Sequence, residues 1–231
     1  MSRGRLRTIL KWVIGLLGAL IALLVLAIIF KNPILKLAMC STVKSSTGLK
    51  ANIGKFDLDL GRSQLAISNF QIFNSPAFGN SLLLDIPEIY LALESQDAAS
   101  GKIRFKEIRF NMQELHVVQN TNGVTNLELL QKTLETNSAK KGHVHVKTID
   151  FGGVDKIVVN LGKVKFTDLG NSANNVEMNL GVTNAVGQNL KSEEEMQNWA
   201  TALLLRLAIQ QWFDPESRKS LPTKWKALVP H

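Results

Sequence analysis

The chain contains a single cysteine, Cys40, among 231 residues. An internal disulfide is therefore impossible, and a cysteine-based metal site or thiol relay within one chain is excluded. The sequence also lacks a Gly-x-Ser-x-Gly motif, a Walker motif and zinc-ligand spacing. These absences favour a protein that is not an enzyme, and no cofactor and no metal are predicted.

Acidic residues are missing from the first 50 positions, which carry eight lysines and arginines. These eight account for the whole formal net charge of +8, so residues 51–231 are neutral on balance. A nucleic-acid-binding protein would be expected to carry its basic excess on the folded domain. The observed distribution therefore argues against nucleic acid as a partner.

The most apolar stretch is residues 12–30, WVIGLLGALIALLVLAIIF, which carries no charged residue. It is long enough to cross a bilayer as a helix. A cleaved signal peptide is the competing interpretation, but its apolar region would be shorter and followed by a small-residue cleavage site, whereas KNPILK follows here. Four basic residues within or just before its start predict a cytoplasmic N-terminus. The sequence thus predicts a transmembrane anchor at residues 12–30, with the bulk of the chain outside the cytoplasm, in the periplasm of a bacterium with two membranes.

After this segment the sequence alternates between apolar and polar residues, as in half-buried strands. IGKFDLDL is the first example, and about eight such strands joined by short polar turns predict an antiparallel meander. Pro87 lies inside one apolar strand, which predicts either an edge strand or a bulge at that point.

Two stretches have helical spacing instead. TNLELLQKTLETN predicts a short mid-chain helix from Thr125. In SEEEMQNWATALLLRLAIQQWF, Ser192 and Glu195 match a capping box, and Asp214-Pro215 marks the end of a longer amphipathic helix. We expect this helix to pack on a sheet face or to plug a sheet end. The predicted class is mainly β (α+β), with a basic stub and anchor at 1–31, a β-domain at 32–190, and a C-terminal helix and tail at 191–231.

The order of these features resembles the N-terminal region of the AsmA-like family of bacterial envelope proteins. The resemblance covers residues 10–135: the anchor, a Gly48 to Gly54 entry into the first strand, and a second strand that ends in FNSPAFGN. Three further segments follow in the same order: an apolar strand containing IPEI, a GKI…KEI pair, and NGVTNLELL. In the family the second strand usually ends in Asn-Pro-x-Gly-Phe. Here Ser75 is inserted before the proline, and Phe and Gly are exchanged.

The resemblance implies a twisted antiparallel sheet that curls into a groove with an apolar inner face. AsmA-like proteins are similar to repeating-groove lipid-transfer proteins, so the implied function is lipid handling or assistance in outer-envelope assembly by an inner-membrane protein. The expected partners are the membrane, phospholipid, and other envelope proteins or further copies of the chain. Two alternatives remain open: a scaffold or partner-binding module without lipid, and a sheet that closes on itself or dimerises and leaves no groove.

If lipid is bound, we expect apolar strand residues to line the groove. The predicted lining residues are Phe56, Leu58, Leu60, Ile67, Ile103, Phe105, Val144 and Val146.

A turn motif of Asn74, Pro76, Phe78 and Gly79 is predicted at the end of the second strand, where these residue types end a ladder and allow unusual dihedral angles. We expect this motif to shape the turn rather than to contact a ligand.

Two pairs of polar residues are candidates for a site. His143 and His145 lie two apart on a predicted strand, but no carboxylate or cysteine accompanies them, so a metal site is not expected. Asp57 and Asp59 share a strand face, for which a solvated surface is the preferred interpretation over acid–base chemistry.

Overall fold

The computed structural model describes residues 31–94, 102–140 and 150–213. The strands are β1 (Lys50–Asp59), β2 (Gln64–Phe73), β3 (Leu82–Leu93), β4 (Lys102–Gln119), β5 (Asp150–Asp168) and β6 (Val176–Leu190). The described part of helix α1 covers residues 31–47, and it is followed along the chain by α2 (Asn126–Lys140) and α3 (Glu193–Phe213). Two single 3-10 turns lie at Pro76–Phe78 and Ser172–Asn174. The α+β class predicted from the sequence is confirmed.

The six strands form one sheet in the order β1-β2-β3-β4-β5-β6. Four of the five neighbouring pairs are antiparallel, but β4 and β5 are parallel. The prediction of a purely antiparallel meander is therefore wrong at this point. A parallel pair needs a crossover that returns the chain to the starting end of the sheet. The connection that contains α2 supplies this crossover.

The prediction of about eight strands is also wrong, because two long strands had been divided. The KIRFKEIRF part of the first segment and the ELHVVQ segment belong to the single 18-residue β4, and KIVVNLGKVKF is part of the 19-residue β5. Interruptions of the apolar pattern inside these strands are irregularities of pairing rather than turns.

One line of irregularities crosses the sheet, and we call it the crease. Its members are Gly54 on β1, Asn69 on β2, Pro87 on β3, Gln113 on β4 and Gly162 on β5, and the pairing register passes over each of them. At each position the strand takes one residue more than strict alternation allows, and the pairing register on either side is unchanged because the neighbouring strand does the same. Pro87 therefore sits at an irregularity of an inner strand, and the edge-strand alternative for it is wrong.

The crease keeps one face of the sheet apolar. In each of the five strands the apolar alternation takes one step of three residues instead of two, from Ile53 to Phe56 on β1 and from Ile67 to Phe70 on β2, for example. Since the extra residues are aligned, both halves of every strand present apolar side chains to the same side. The shift in the apolar pattern within LAISNFQIF, residues 65–73, therefore occurs inside the single strand β2 and keeps its apolar side chains on one face.

The core lies on this apolar face, in two clusters that helices cover. The first is built from Ile53, Ile67, Phe70 and Ile86, with Met39, Cys40 and Val43 of α1 packed against it. The second is built from Val154, Ile157 and Val159, with Met196, Trp199 and Leu203 of α3 packed against it. The half-buried Phe110 contacts both clusters.

Both later helices begin with a capping box. The Thr125 hydroxyl accepts from the Glu128 N–H (3.2 Å), while the Glu128 carboxylate accepts from the Thr125 N–H (2.8 Å). For α3, Ser192 accepts from the Glu195 N–H at 3.1 Å, as predicted, and the Glu195 carboxylate reaches the Lys191 N–H at 2.7 Å. The prediction that α3 packs on a sheet face is confirmed.

The predicted anchor at residues 12–30 lies outside the described residues. Within the described ranges, no helix combines the length and apolar character needed to cross a membrane. The predicted domain boundaries after residues 31 and 190 remain predictions. Residues of α1 and α3 pack directly on the sheet formed by β1 to β6.

Candidate functional site

A strip of partly exposed apolar side chains runs along the two central strands. Paired residues share a face of a sheet, and three pairs place apolar residues of β3 beside those of β4. We call these six residues the apolar strip: Leu84 with Leu115, Ile89 with Phe110, and Leu91 with Ile108.

The apolar strip lies between the two helix-covered clusters. On one side, Ile67 pairs with Ile89 and belongs to the cluster under α1, and on the other, Val159 pairs with Phe110 and belongs to the cluster under α3. The flanking Ile67 and Val159 are buried, whereas all six strip residues are half-buried. Ile86 on β3 and Met112 on β4 share this face and are buried, so the strip is a partly exposed surface interrupted by two core residues.

The predicted groove residues occupy different environments. Ile67 is 3% exposed, so it belongs to the core and is not a lining residue of an accessible groove. Phe56 packs half-buried against the first cluster, and Leu58 is half-buried beside it on β1. Leu60 is 69% exposed and lies in the turn after β1.

The remaining groove predictions fall on or beyond β4. Ile103 and Phe105 are half-buried, Phe105 packs against the cluster under α3, and its ring centroid is 6.5 Å from that of Phe151. Val144 and Val146 lie outside the described residues, as do His143 and His145.

The opposite face of the sheet carries cross-strand ion pairs, and at the end where β4 leads into α2 it carries the buried Leu83, His116 and Val118. Arg109 on β4 bonds Glu88 and Glu107, each at 3.0 Å, and its guanidinium lies 3.8 Å from the centroid of the Tyr90 ring. Lys156 on β5 continues the ladder to Glu107 at 3.2 Å. These charges satisfy one another, which is typical of a solvated strand face.

The same face carries a second group of charges beyond the crease. Lys163 contacts Glu114 at 3.3 Å and Glu177 at 3.2 Å. Hydrogen bonds to Glu177 and then to Glu114 raise the pKa of the Lys163 ammonium group. The polar face therefore continues across the crease, as the apolar face does.

The turn motif is part of a buried polar network. Asn74 is 4% exposed, and its amide group donates to the Ser81 hydroxyl at 3.0 Å. The Asn126 amide group, at the start of α2, donates to the Asn74 side-chain oxygen (2.7 Å) and to the His116 carbonyl (2.9 Å). The Asn126 oxygen accepts from the Val118 N–H at 3.0 Å. The network therefore joins the end of β2 to β4 and α2.

The rest of the motif forms a tight turn. Pro76 begins the 3-10 turn, Phe78 is 3% exposed, and Gly79 has φ 78° in the left-handed region. The predicted role in turn geometry agrees with this placement. The three hydrogen bonds of the Asn126 side chain were not anticipated, because its partners lie 8 to 52 residues away in the chain.

His116 completes the network as a buried neutral imidazole. Its Nδ1 lies 3.2 Å from the Leu82 carbonyl oxygen and its Nε2 lies 2.8 Å from the Thr167 hydroxyl. A carbonyl can only accept, so Nδ1 carries the proton and Nε2 accepts from Thr167. Burial, and then the charge of Lys165, lower the pKa of His116, against smaller opposing effects of the Leu82 carbonyl and of Glu114.

Asp57 and Asp59 have structural partners. Asp57 accepts from the Asn32 amide group at 3.1 Å, and Asp59 accepts from the Arg62 N–H at 3.0 Å. Among the described residues, no group of three or more His, Cys, Asp or Glu side chains is placed to hold a metal ion.

The sequence prediction missed the apolar strip: none of its six residues was selected as a lining residue, although all six are half-buried on the apolar face. The steps of three residues in the apolar pattern were the available signal, since aligning them across strands identifies one continuous face.

Comparisons of the chain with protein-family models, with curated proteins and with solved structures return no match.

Proposed function

We propose that this chain is an AsmA-like, inner-membrane-anchored periplasmic protein that holds lipid acyl chains on the apolar strip. In this proposal residues 12–30 span the membrane with the N-terminus in the cytoplasm, and the folded sheet carries out no catalysis. The observation that supports the proposal is the half-buried apolar strip between two helix-covered clusters.

The dimensions of the strip suit one acyl chain. From residue 84 to residue 91, β3 advances about 23 Å at ~3.3 Å per residue. An acyl chain in one leaflet extends over about half of the ~30 Å hydrocarbon core, or ~15 Å. Across the strands, six strands at ~4.8 Å spacing give a sheet about 24 Å wide, so one copy is too narrow to bridge two membranes in that direction.

The opposite face provides an internal control for a lipid test. Val186 on β6 is 44% exposed and pairs with Val158, which continues the row of Arg109 and Tyr90 on the polar face. It is more exposed than Phe110 but lies outside the apolar face.

Site-specific photocrosslinking in the full-length, membrane-resident chain tests the proposal. A benzophenone amino acid replaces Phe110 in one variant and Val186 in the other, and phospholipid adducts are measured by mass spectrometry after irradiation. We expect adducts at position 110 and none at position 186. Equal labelling at both positions, or none at position 110, would refute lipid binding on the strip.

A second candidate function is an envelope scaffold that binds a partner protein. Exposed leucines on two helices favour it: Leu129 and Leu134 on α2, and Leu204 and Leu205 on α3, are between 41% and 62% exposed. A photocrosslink from position 110 to a protein rather than to a lipid would favour this candidate.

A further inference from the structure

The first residues of the described part of α1 are clamped to the outer edge of β1. The Asn32 side-chain oxygen accepts from the Leu58 N–H at 3.2 Å, and its amide group donates to the Asp57 carboxylate at 3.1 Å. One helical turn further on, the Lys36 ammonium group donates to the Gly54 carbonyl at 3.2 Å. These bonds hold α1 alongside β1, with Asn32 at the end of the strand that leads into the β1–β2 turn.

This clamp determines which end of the sheet lies near the apolar segment. Phe30, the last residue of that segment, precedes Asn32 by two residues and therefore lies within about 7 Å of it along the chain. The β1–β2 turn begins two residues after Leu58, about another 7 Å along the strand. The turn is thus held close to the point where residues 12–30 end.

The turn presents an exposed apolar side chain next to an exposed base. Leu60 is 69% exposed, and the Arg62 side chain is 78% exposed. Leu37 on α1, seven residues after the apolar segment, is 70% exposed. Among the described large apolar residues these are the two highest exposures, and both occur beside the predicted anchor.

We propose that the turn patch, defined as Leu60, Gly61 and Arg62, contacts the surface of the membrane in which residues 12–30 are inserted. Leu60 enters the boundary between headgroups and acyl chains, and Arg62 faces anionic headgroups. Other charges near the turn are Asp59, 3.8 Å from Arg62, the Lys55–Asp57 pair, Lys31 next to Asn32, and Glu94, which pairs with Lys106 at 3.1 Å and follows Leu93, whose N–H donates to the Ser63 carbonyl. The inference rests on the proposed membrane anchoring, and it adds an orientation: the β1–β2 end of the sheet faces the membrane.

Fluorescence quenching in proteoliposomes tests this orientation. The full chain carries Cys40→Ala and one new cysteine labelled with an environment-sensitive dye, in vesicles of phosphatidylcholine and phosphatidylglycerol containing a shallow spin-labelled quencher lipid. Leu60→Cys reports on the turn patch, Asn122→Cys on the exposed turn after β4 at the other end of the sheet, and Leu20→Cys on the anchor. Arg62→Cys is a second reporter of the turn patch in case Leu60→Cys does not fold.

We expect quencher lipid to reduce the emission from position 60 about twofold, since a side chain ~5–10 Å into the interface is within its reach, and to leave position 122 unchanged. Adding Asn32→Ala should weaken the quenching at position 60 but not at position 20. Quenching at position 20 without quenching at positions 60 and 62 would overturn the orientation while leaving the anchor intact. No quenching at position 20 would overturn the anchor and this inference together.

Discussion

At the scale of single residues, the buried Asn126 holds together three parts of the chain that are distant in sequence. Its side chain bonds Asn74, the His116 carbonyl and the Val118 N–H, and it is 5% exposed. A buried polar group that loses its partner keeps the full cost of its desolvation, about 1–3 kcal/mol. The network therefore stabilises the end of the sheet where β2 turns and α2 begins.

Replacing Asn126 with alanine should lower the free energy of unfolding by about 3 kcal/mol, because several buried partners lose their hydrogen bonds. Urea denaturation in detergent micelles, followed by tryptophan fluorescence, measures the change. Asn122→Ala, in the exposed turn nearby, is the matched control and should shift stability by less than about 0.5 kcal/mol. Equal effects of the two substitutions would show that the network contributes little.

The lowered pKa of His116 predicts a loss of stability in weak acid. Below about pH 6.5 the unfolded chain takes up a proton that the buried ring in the folded state resists. The free energy of unfolding should therefore fall by up to about 1.4 kcal/mol per pH unit, until the pH reaches the lower folded-state pKa.

Urea denaturation at pH 7.5 and pH 5.5, with His116→Gln as control, isolates this effect from the titration of carboxylates. Glutamine can donate and accept but does not titrate, so the variant should lose less stability between the two pH values. An identical loss in both proteins would exclude His116 as its source.

At the scale of secondary-structure elements, the crease determines how the strands present their faces. Gly162 on β5 is its tightest point, since a Cβ atom there would lie 2.3 Å from the Gln113 carbonyl oxygen of β4. At such a close approach the backbone of one strand must move to admit any side chain. Glycine at this position is therefore required by the packing of two neighbouring strands.

Gly162→Ala should destabilise the protein by about 2 kcal/mol or more, because the added methyl group meets backbone atoms that cannot rotate away. Gly61→Ala in the β1–β2 turn is a suitable control, since its Cβ would meet the Asp59 carboxylate at an ordinary 3.4 Å. Thermal unfolding by circular dichroism compares the two variants. A melting temperature of Gly162→Ala equal to that of Gly61→Ala would contradict the role of the crease.

The pattern of apolar, polar and capping residues within short stretches of the sequence was sufficient to predict several strands and helices. The polar–apolar alternation identified β1 and β2, and the Ser192–Glu195 spacing identified the start of α3, because each signal depends on residues that are close in sequence. The parallel pairing of β4 with β5 could not be obtained in this way, since it depends on where the α2 crossover returns the chain. The division of β4 between Phe110 and Glu114 followed from treating the crease at Gln113 as a turn between two strands.

The candidate site was not predictable in this way either. Ile103 and Phe105 were correctly placed on one strand, and both are half-buried on β4, but neither belongs to the apolar strip. Burial of Ile67 under α1 could not be foreseen, because it depends on contacts with a helix 24 to 28 residues earlier in the chain. The partly exposed centre of the face emerges only from the positions of both helices.

At the scale of the whole molecule, the sheet has two chemically different faces and a defined end beside the apolar segment. One face carries mutually satisfied ion pairs around Arg109, and the other carries the apolar strip between α1 and α3. An apolar surface left partly uncovered at the centre of a domain is a candidate for binding an apolar ligand. The hydrogen bonds of Asn32 hold β1, the edge strand of this sheet, beside the predicted membrane anchor.

Native mass spectrometry of residues 31–231, purified without detergent, tests lipid binding most directly. Starting at residue 31 retains the Asn32 and Lys36 contacts with β1, and circular dichroism verifies that the shortened chain is folded. Ile108→Asp places a charge on the apolar strip, and Gln113→Asp places the same charge at an exposed position of the same strand. The account predicts phospholipid-sized adducts on the parent chain and on Gln113→Asp, and their loss from folded Ile108→Asp. A folded parent chain with a clean, lipid-free mass would contradict it.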